Sequence, residues 1–168
     1  MELEAPVRDN ALTTFGKIRN PMESFTKASL VAPCGMNCSI CMAYLREKNK
    51  CVGCRGTDIN KPITRVRCKI KTCQVFQNSR TKFCFECKNF PCDHLRHLDK
   101  RYRTRYNMSM IENLGYIRDF GIRKFLKNEH ERWTCSQCSG VICVHKGFCN
   151  DCGKSRPRVF FNKRSPIK

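Results

Sequence analysis

The residues best able to do chemistry in this chain are its cysteines, because most of them occur as close pairs. A C-x2-C knuckle points two thiolates at one tetrahedral ion, and four thiolates form a common ligand set of structural zinc. The chain has 15 cysteines in 168 residues, too many to explain as free buried thiols. In a reducing compartment such a density indicates metal rather than disulfides, so we expect cysteine-ligated ions.

The clearest predicted site lies near the carboxyl end, where two knuckles are separated by ten residues. This spacing is typical of a zinc ribbon. The predicted ligands are Cys135, Cys138, Cys149 and Cys152. Cys143 and His145 lie between the knuckles, and one of them could replace a ligand, but we interpret them as a packed thiol and a surface imidazole.

Residues 30–92 hold the other ten cysteines, which we divide into two sites. The predicted ligands of the first site are Cys38, Cys41, Cys51 and Cys54. Those of the second site are Cys68, Cys73, Cys84 and Cys87. Cys34 and Cys92 are alternates that can exchange into either site, whereas we interpret His94 as solvated rather than as a ligand. Together with the ribbon, this division predicts about three zinc ions.

Iron is the alternative to zinc, because thiolate sets accept both metals. Cys34, Cys38 and Cys41 have the C-x3-C-x2-C spacing of radical enzymes that bind a four-iron cluster and S-adenosylmethionine. A motif needs its fold context, and this chain lacks the repeated strand and helix units of those enzymes. Because thiolate sets accept iron whatever the fold, the alternative function remains an iron–sulfur cluster protein in electron transfer or radical chemistry.

The sequence offers no catalytic constellation beside the cysteines. Asp93 and Glu129 adjoin histidines, but without the H-E-x-x-H spacing of a metal-activated-water site. No phosphate loop and no nucleophile with an attendant histidine is recognisable. The sequence therefore favours a non-catalytic protein over an enzyme and predicts no catalytic residue.

The chain is strongly basic, with a formal net charge of +19. Three four-thiolate zinc sites would lower this value to about +13. One basic and aromatic run could place cations on phosphates and tyrosines on unstacked bases. The run contains Lys100, Arg101, Tyr102, Arg103, Arg105 and Tyr106. We expect a binding or scaffold role with RNA, DNA or an acidic protein surface as the partner. The alternative interpretation of the run is a solvated helix end that binds nothing.

A helical segment is predicted between the two cysteine regions. Its first helix can start just after Cys92, and Ser109 with Glu112 matches a capping box that starts the next helix. Gly121 predicts a break or kink, after which a second apolar face runs toward Trp133. The apolar positions at helical spacing are Ile111, Leu114, Ile117, Ile122, Phe125 and Leu126.

These features divide the chain into five predicted segments. They are a neutral arm (1–29), a cysteine-rich metal module (30–92), a helical segment (93–133), a zinc-ribbon-like module (134–153) and a basic tail (154–168). The predicted fold class is a small, irregular, metal-stabilised α+β protein. No apolar stretch is long enough to span a bilayer and the amino terminus lacks a secretory pattern, so we expect the cytoplasm.

Several linked pieces of sequence carry a resemblance to a known family. The pieces are APCGMNCSICMAYL at 32–45, CVGCR at 51–55, CKIKTC at 68–73, FCFECKNFPC at 83–92, IENL at 111–114 and RWTC at 132–135. From about Leu30 to Gly153 the chain resembles a cysteine-rich family of unknown function from archaea and anaerobic bacteria. The resemblance implies metal binding, with zinc as the expected ion, at the matching cysteines, and it supplies no reaction.

Overall fold

The structure is a computed structural model that describes residues 27–59, 61–78 and 80–156. The helices in this part of the chain are α1 (Met42–Leu45), α2 (Ile63–Val66), α3 (Gln74–Asn78), α4 (Asp93–Tyr106) and α5 (Met110–Trp133). Single 3-10 turns occur at Ala28–Leu30, Cys38–Ile40 and Cys84–Glu86. Most of the predicted arm and the basic tail after Arg156 lie outside the described residues.

Two short strands form the sheet of the described residues. β1 (Ile142–Cys143) pairs antiparallel with β2 (Phe148–Cys149), and Ile142 lies opposite Cys149. The molecule is therefore mixed but mostly helical, which confirms the predicted fold class in this coarse form. The residues between the helices, above all in the first metal module, form short turns rather than extended strands.

A tight turn at the start of the first module packs directly on α5. Val31 and Asn37 form an isolated antiparallel bridge, and the Ala32 N–H donates to the Met36 carbonyl at 2.8 Å. Gly35 has a φ of 83°, and a Cβ atom there would lie 2.9 Å from the Leu114 Cγ of α5. Only glycine combines this backbone angle with such a close approach. The turn therefore holds the backbone next to Cys34 against α5.

The junction between α4 and α5 is closed by one buried carboxylate. Asp99 accepts hydrogen bonds from the Ser109 hydroxyl at 2.7 Å and from the Ile111 N–H at 3.0 Å. Ser109 in turn caps α5 by accepting from the Glu112 N–H at 3.1 Å. Asn107 adopts a left-handed conformation at the end of α4. The predicted starts of both helices, after Cys92 and at Ser109, are confirmed.

Gly121 interrupts α5 as the sequence predicts. Its φ of 82° and ψ of 162° are not helical, and glycine is the residue that adopts such angles at least cost. Before the kink Leu114 and Ile117 are buried, and after it Phe125, Leu126 and Trp133 are buried. Each half of the helix therefore presents its own apolar face to the core.

The main core is continuous across the cysteine-rich module, the helices and the C-terminal hairpin. It includes Ile40 from the cysteine-rich module, Leu95 and Trp133 from the helices, and Val144 from the hairpin. The Val144 N–H also donates to the Ile40 carbonyl at 3.0 Å. The five-segment division stays a prediction. Within the described residues, none of the helices has the length and apolar character needed to cross a membrane.

Candidate metal centre and the adjoining cavities

The four cysteines predicted as a zinc ribbon come together in space. The sulfurs of this C-terminal cysteine group (Cys135, Cys138, Cys149 and Cys152) all lie within 4.8 Å of one another. Two of the separations are 3.7 Å between Cys135 and Cys152 and 3.5 Å between Cys138 and Cys149. A Zn–S bond of 2.3 Å in tetrahedral geometry requires about 3.8 Å between sulfurs. The group could therefore hold one metal ion.

Local backbone contacts position this group. The Cys135 N–H donates to the Gly140 carbonyl at 2.8 Å, which closes the first knuckle, and the Gln137 N–H donates to the Cys135 sulfur at 3.4 Å. The β1–β2 pairing brings the second knuckle alongside, because Ile142 lies opposite Cys149. A chain that alternates knuckle, hairpin and knuckle thus brings four sulfurs to one point.

The electrostatics of the group favour a cation. Hydrogen bonds from the backbone N–H groups of Gln137 and Cys138 lower the pKa of Cys135 to about 6. A backbone hydrogen bond with Gly140 acts to lower the pKa of Cys138, but the neighbouring Cys152 and Cys149 raise it to about 12. The Cys135 thiolate is therefore present at neutral pH, and a bound ion would displace the proton of the Cys138 thiol.

The cysteines of the first module surround two separate cavities. The smaller cavity, of about 40 Å³, is lined by four of them. They are Cys73, Cys84, Cys87 and Cys92. Burial raises the pKa of Cys84 to about 12, with further contributions from the charges of Cys92, Cys73 and Cys87. Cys92, predicted as an alternate ligand, thus faces the same space as three of the cysteines assigned to the second site.

The larger cavity, of about 760 Å³, is lined by the other six cysteines of the module. They are Cys34, Cys38, Cys41, Cys51, Cys54 and Cys68. The Cys54 N–H donates to the Cys38 sulfur at 3.4 Å. The contact with the Cys38 thiol and the charges of Lys61 and Arg65 lower the pKa of Cys54 to about 7. Burial raises the pKa of Cys34. Cys68, assigned to the second site from the sequence, thus lines the same cavity as the four cysteines assigned to the first site. The predicted division of ligands stays a prediction.

Polar side chains line the larger cavity together with these cysteines. Helix α2 contributes Thr64 and Arg65, and α4 contributes Arg101, Tyr102 and Tyr106. His145 reaches the cavity from the turn between β1 and β2. Imidazole and hydroxyl groups from three distant parts of the sequence thus meet in one space.

His145 is held in place by two hydrogen bonds. The Met42 N–H donates to its Nδ1 at 3.3 Å, and its Nε2 lies 2.9 Å from the Tyr102 hydroxyl. Burial lowers the pKa of His145, and the charge of Arg65 adds to this effect. The interpretation of His145 as a surface imidazole is therefore wrong, because the hairpin turn folds against the first module. Cys143 is fully buried, as expected of a packed thiol, and His94 is largely exposed.

The basic and aromatic run divides between two environments. Lys100, Arg101 and Arg105 are exposed, and Arg101 also lines the larger cavity. Arg103 bonds to Asp99 at 3.0 Å. Two aromatic residues of the run are half-buried and pack edge-on against His145 and each other, namely Tyr102 and Tyr106.

Sequence reasoning singled out Tyr102 and His145 but did not predict that they meet the cysteines at the larger cavity, and it did not single out Arg65. Arg65 belongs to a four-residue helix with no distinguishing motif, so no local signal marks it. The pairing of Tyr102 with His145 spans 43 residues, beyond the reach of any periodic pattern. One signal was present for His145: its place between two knuckles puts it at a hairpin turn, where a side chain can reach a neighbouring segment.

Comparisons with known proteins address the cysteine-rich module. No curated protein and no solved structure matches the chain. One family model matches a segment that covers the first module and the beginning of α4, and the C-terminal cysteine group lies beyond this segment. Residues 30–97 match the model of a family described as "Protein of unknown function (DUF3795)".

Proposed function

We propose that this chain is a zinc-binding protein with a non-catalytic interaction or scaffold role. The observation that carries the proposal is the C-terminal cysteine group, whose sulfur separations of 3.5 and 3.7 Å suit a tetrahedral zinc ion. Zinc bound by thiolates supplies about 10–16 kcal/mol in small peptides, comparable with the stability of a domain. About three ions per chain are proposed, two of them in the first module.

The proposed partner is acidic, either RNA, DNA or a protein surface. The exposed Lys100, Arg101 and Arg105 on α4 support contacts with phosphates or carboxylates. The packing of Tyr102 and Tyr106 against His145 argues against base stacking by these rings. We propose the cytoplasm as the location, since a reducing compartment keeps fifteen cysteines available to metal.

An iron–sulfur protein is the second candidate, and the larger cavity is the observation that favours it. Six cysteines line a space of about 760 Å³, far more than one ion occupies. Iron–sulfur clusters are held by cysteine thiolates, and a cluster of several atoms needs such room. In this form the first module would carry an electron-transfer or radical centre, and the C-terminal group would remain structural.

The deciding measurement is the metal, sulfide and visible colour of protein purified without oxygen. We expect about three zinc ions per chain and no colour. Iron with sulfide and a brown colour would support the second candidate. Cys149→Ser, which alters a buried member of the C-terminal group, should remove one ion.

Cys143→Ala is the matched control for this variant, because Cys143 is equally buried in the same hairpin but lies outside the group. It should keep the metal content of the unaltered chain. If Cys149→Ser and Cys143→Ala retain the same number of ions, the proposed zinc site at the hairpin is wrong.

A further inference from the structure

The larger cavity has a polar wall that metal binding by the cysteines does not explain. Three cationic side chains line it, from Arg65, Lys69 and Arg101, against a single carboxylate from Asp93. The charge of Arg65 acts on the His145 ring and on the Tyr102 hydroxyl, where the charges of Cys41 and Cys34 oppose it. This side of the cavity therefore attracts negative charge.

A hydrogen-bond chain fixes the direction in which one hydroxyl can donate. Because His145 Nδ1 accepts from the Met42 N–H, the neutral ring carries its proton on Nε2. That Nε2–H then donates to the Tyr102 oxygen, 2.9 Å away. The hydrogen of the Tyr102 hydroxyl is left to donate elsewhere, and Tyr102 lines the cavity.

Aromatic packing keeps this donor in position. The Tyr106 ring lies edge-on to His145, with centroids 4.8 Å apart, and edge-on to Tyr102 at 5.1 Å. Aromatic pairs in this arrangement attract each other beyond the effect of their buried area. A donor held by its neighbours before a ligand arrives loses little entropy on binding.

We infer that the larger cavity binds a small organic anion. Its carboxylate or phosphate group contacts Arg65 and Arg101, since guanidinium groups form bidentate hydrogen bonds with both kinds of anion. The Tyr102 hydroxyl donates a further hydrogen bond. The volume of about 760 Å³ falls within the 300–1,000 Å³ typical of small-molecule sites.

The apolar part of the ligand would lie against Met42. This side chain is 40% exposed and lines the same cavity as the arginines and tyrosines, whereas Met36 and Met110, which also line it, are buried. Methionine adapts to irregular shapes and makes favourable contacts with aromatic rings. The ligand class is therefore a carboxylate or phosphate monoester with an apolar part, for which a benzene ring is a simple probe. This inference rests on the proposed function in one respect, namely that the cysteine wall is folded around its metal.

The test measures binding of benzoate and, separately, phenyl phosphate to the metal-loaded full chain by calorimetry and amide NMR. Ionic strength is held constant with chloride. We expect saturable binding of at least one probe, with shift changes at Arg65, Tyr102 and His145. The stronger of the two probes identifies carboxylate or phosphate as the preferred anion.

Two sets of variants decide whether the cavity is the site. Arg65→Gln with Arg101→Gln should weaken binding at least tenfold. The matched control, Arg123→Gln with Lys127→Gln, removes the same charge from exposed positions of α5 and should leave affinity within twofold. Equal weakening by both pairs would reduce the effect to general attraction by a basic protein and overturn the inference, as would the absence of saturable binding.

Tyr102→Phe provides a test that spares every cysteine and arginine. It should weaken binding severalfold and leave the metal content unchanged. Unchanged affinity for both probes would overturn the role of the hydroxyl. Metal analysis of the unaltered chain and of every variant separates the two proposals. If the unaltered chain binds no metal, the proposed function is wrong. If it binds metal but neither probe, only this inference is wrong.

Discussion

The two cysteine regions of this molecule use the same ligand type in different ways. In the C-terminal group, four sulfurs gather within 4.8 Å because two knuckles flank one hairpin. In the first module, ten cysteines are distributed around cavities of about 40 and 760 Å³. The first arrangement suits a single closed structural ion. The second leaves room for a larger centre or a ligand beside the thiolates.

This contrast shows what knuckle spacing can and cannot determine. When one hairpin has a knuckle on each side, the pairing of its strands brings the two knuckles together. The spacing of the cysteines in the sequence is then enough to predict which four could share an ion. Where knuckles are joined by short helices and turns, neighbouring cysteines in sequence can face different cavities. Cys68 and Cys73 are such a pair, since they line the larger and the smaller cavity respectively.

The largest expected effect concerns the ligands of the smaller cavity, and it tests how the first module differs from the C-terminal group. Cys92→Ser should remove one ion and lower the free energy of unfolding by several kcal/mol, because metal binding is part of folding. Cys68→Ser is the matched control within the module and should keep that ion. Native mass spectrometry and urea unfolding check both variants. The reverse pattern would support the division predicted from the sequence, which groups Cys68 with Cys73, Cys84 and Cys87.

A smaller effect should follow from breaking the helical link between the two regions. Asp99→Ala removes the acceptor of the Ser109 and Ile111 hydrogen bonds and the partner of Arg103, so we expect a loss of about 3 kcal/mol. Asp99→Asn keeps the size and one acceptor oxygen and should lose less.

Urea unfolding followed at both cysteine regions measures the change. Helix α4 begins beside Cys92 and α5 ends two residues before Cys135, so both regions should lose stability together. A loss below about 0.5 kcal/mol would mean that the turn contributes no more than an ordinary surface position.

The smallest expected effect is a pH dependence at the junction of the two regions. Glu129 is fully buried, accepts from the Trp133 indole at 3.1 Å and lies near Arg132. Burial raises the pKa of Glu129 above its ordinary value, although Arg132 opposes the change. A group with a raised pKa stabilises the fold below its unfolded pKa, and this contribution is lost as pH rises through the folded pKa.

Glu129→Gln should therefore become more stable relative to the unaltered chain as pH rises above about 4.5, by on the order of 1 kcal/mol per unit within the titration range. Glu131→Gln, at an exposed position of the same helix, is the control and should show no such trend. Urea unfolding across a pH series provides the measurement. A stability difference that is flat with pH, or that falls, would contradict the raised pKa.

Local chemistry made several parts of the fold predictable. The Ser109 cap, the kink at Gly121 and the apolar faces on either side of it follow from rules that act within one or two helical turns. The C-terminal group follows from spacing alone. The site at the larger cavity does not, because Arg65, Tyr102 and His145 are brought together by long-range packing that no local pattern encodes. The inward packing of Tyr106 was missed for the same reason.

The hydrogen bond between Met42 and His145 joins residues that are 103 positions apart. At synthesis rates of about 5–20 residues per second, roughly 5–20 s pass between the emergence of the two residues. Once Cys68 has emerged, all six cysteines of the larger cavity are present, while the side of the cavity that His145 completes is still missing. In a nascent chain these thiols are therefore available to metal before His145 emerges, whereas a chain refolded from denaturant presents all of its residues at once.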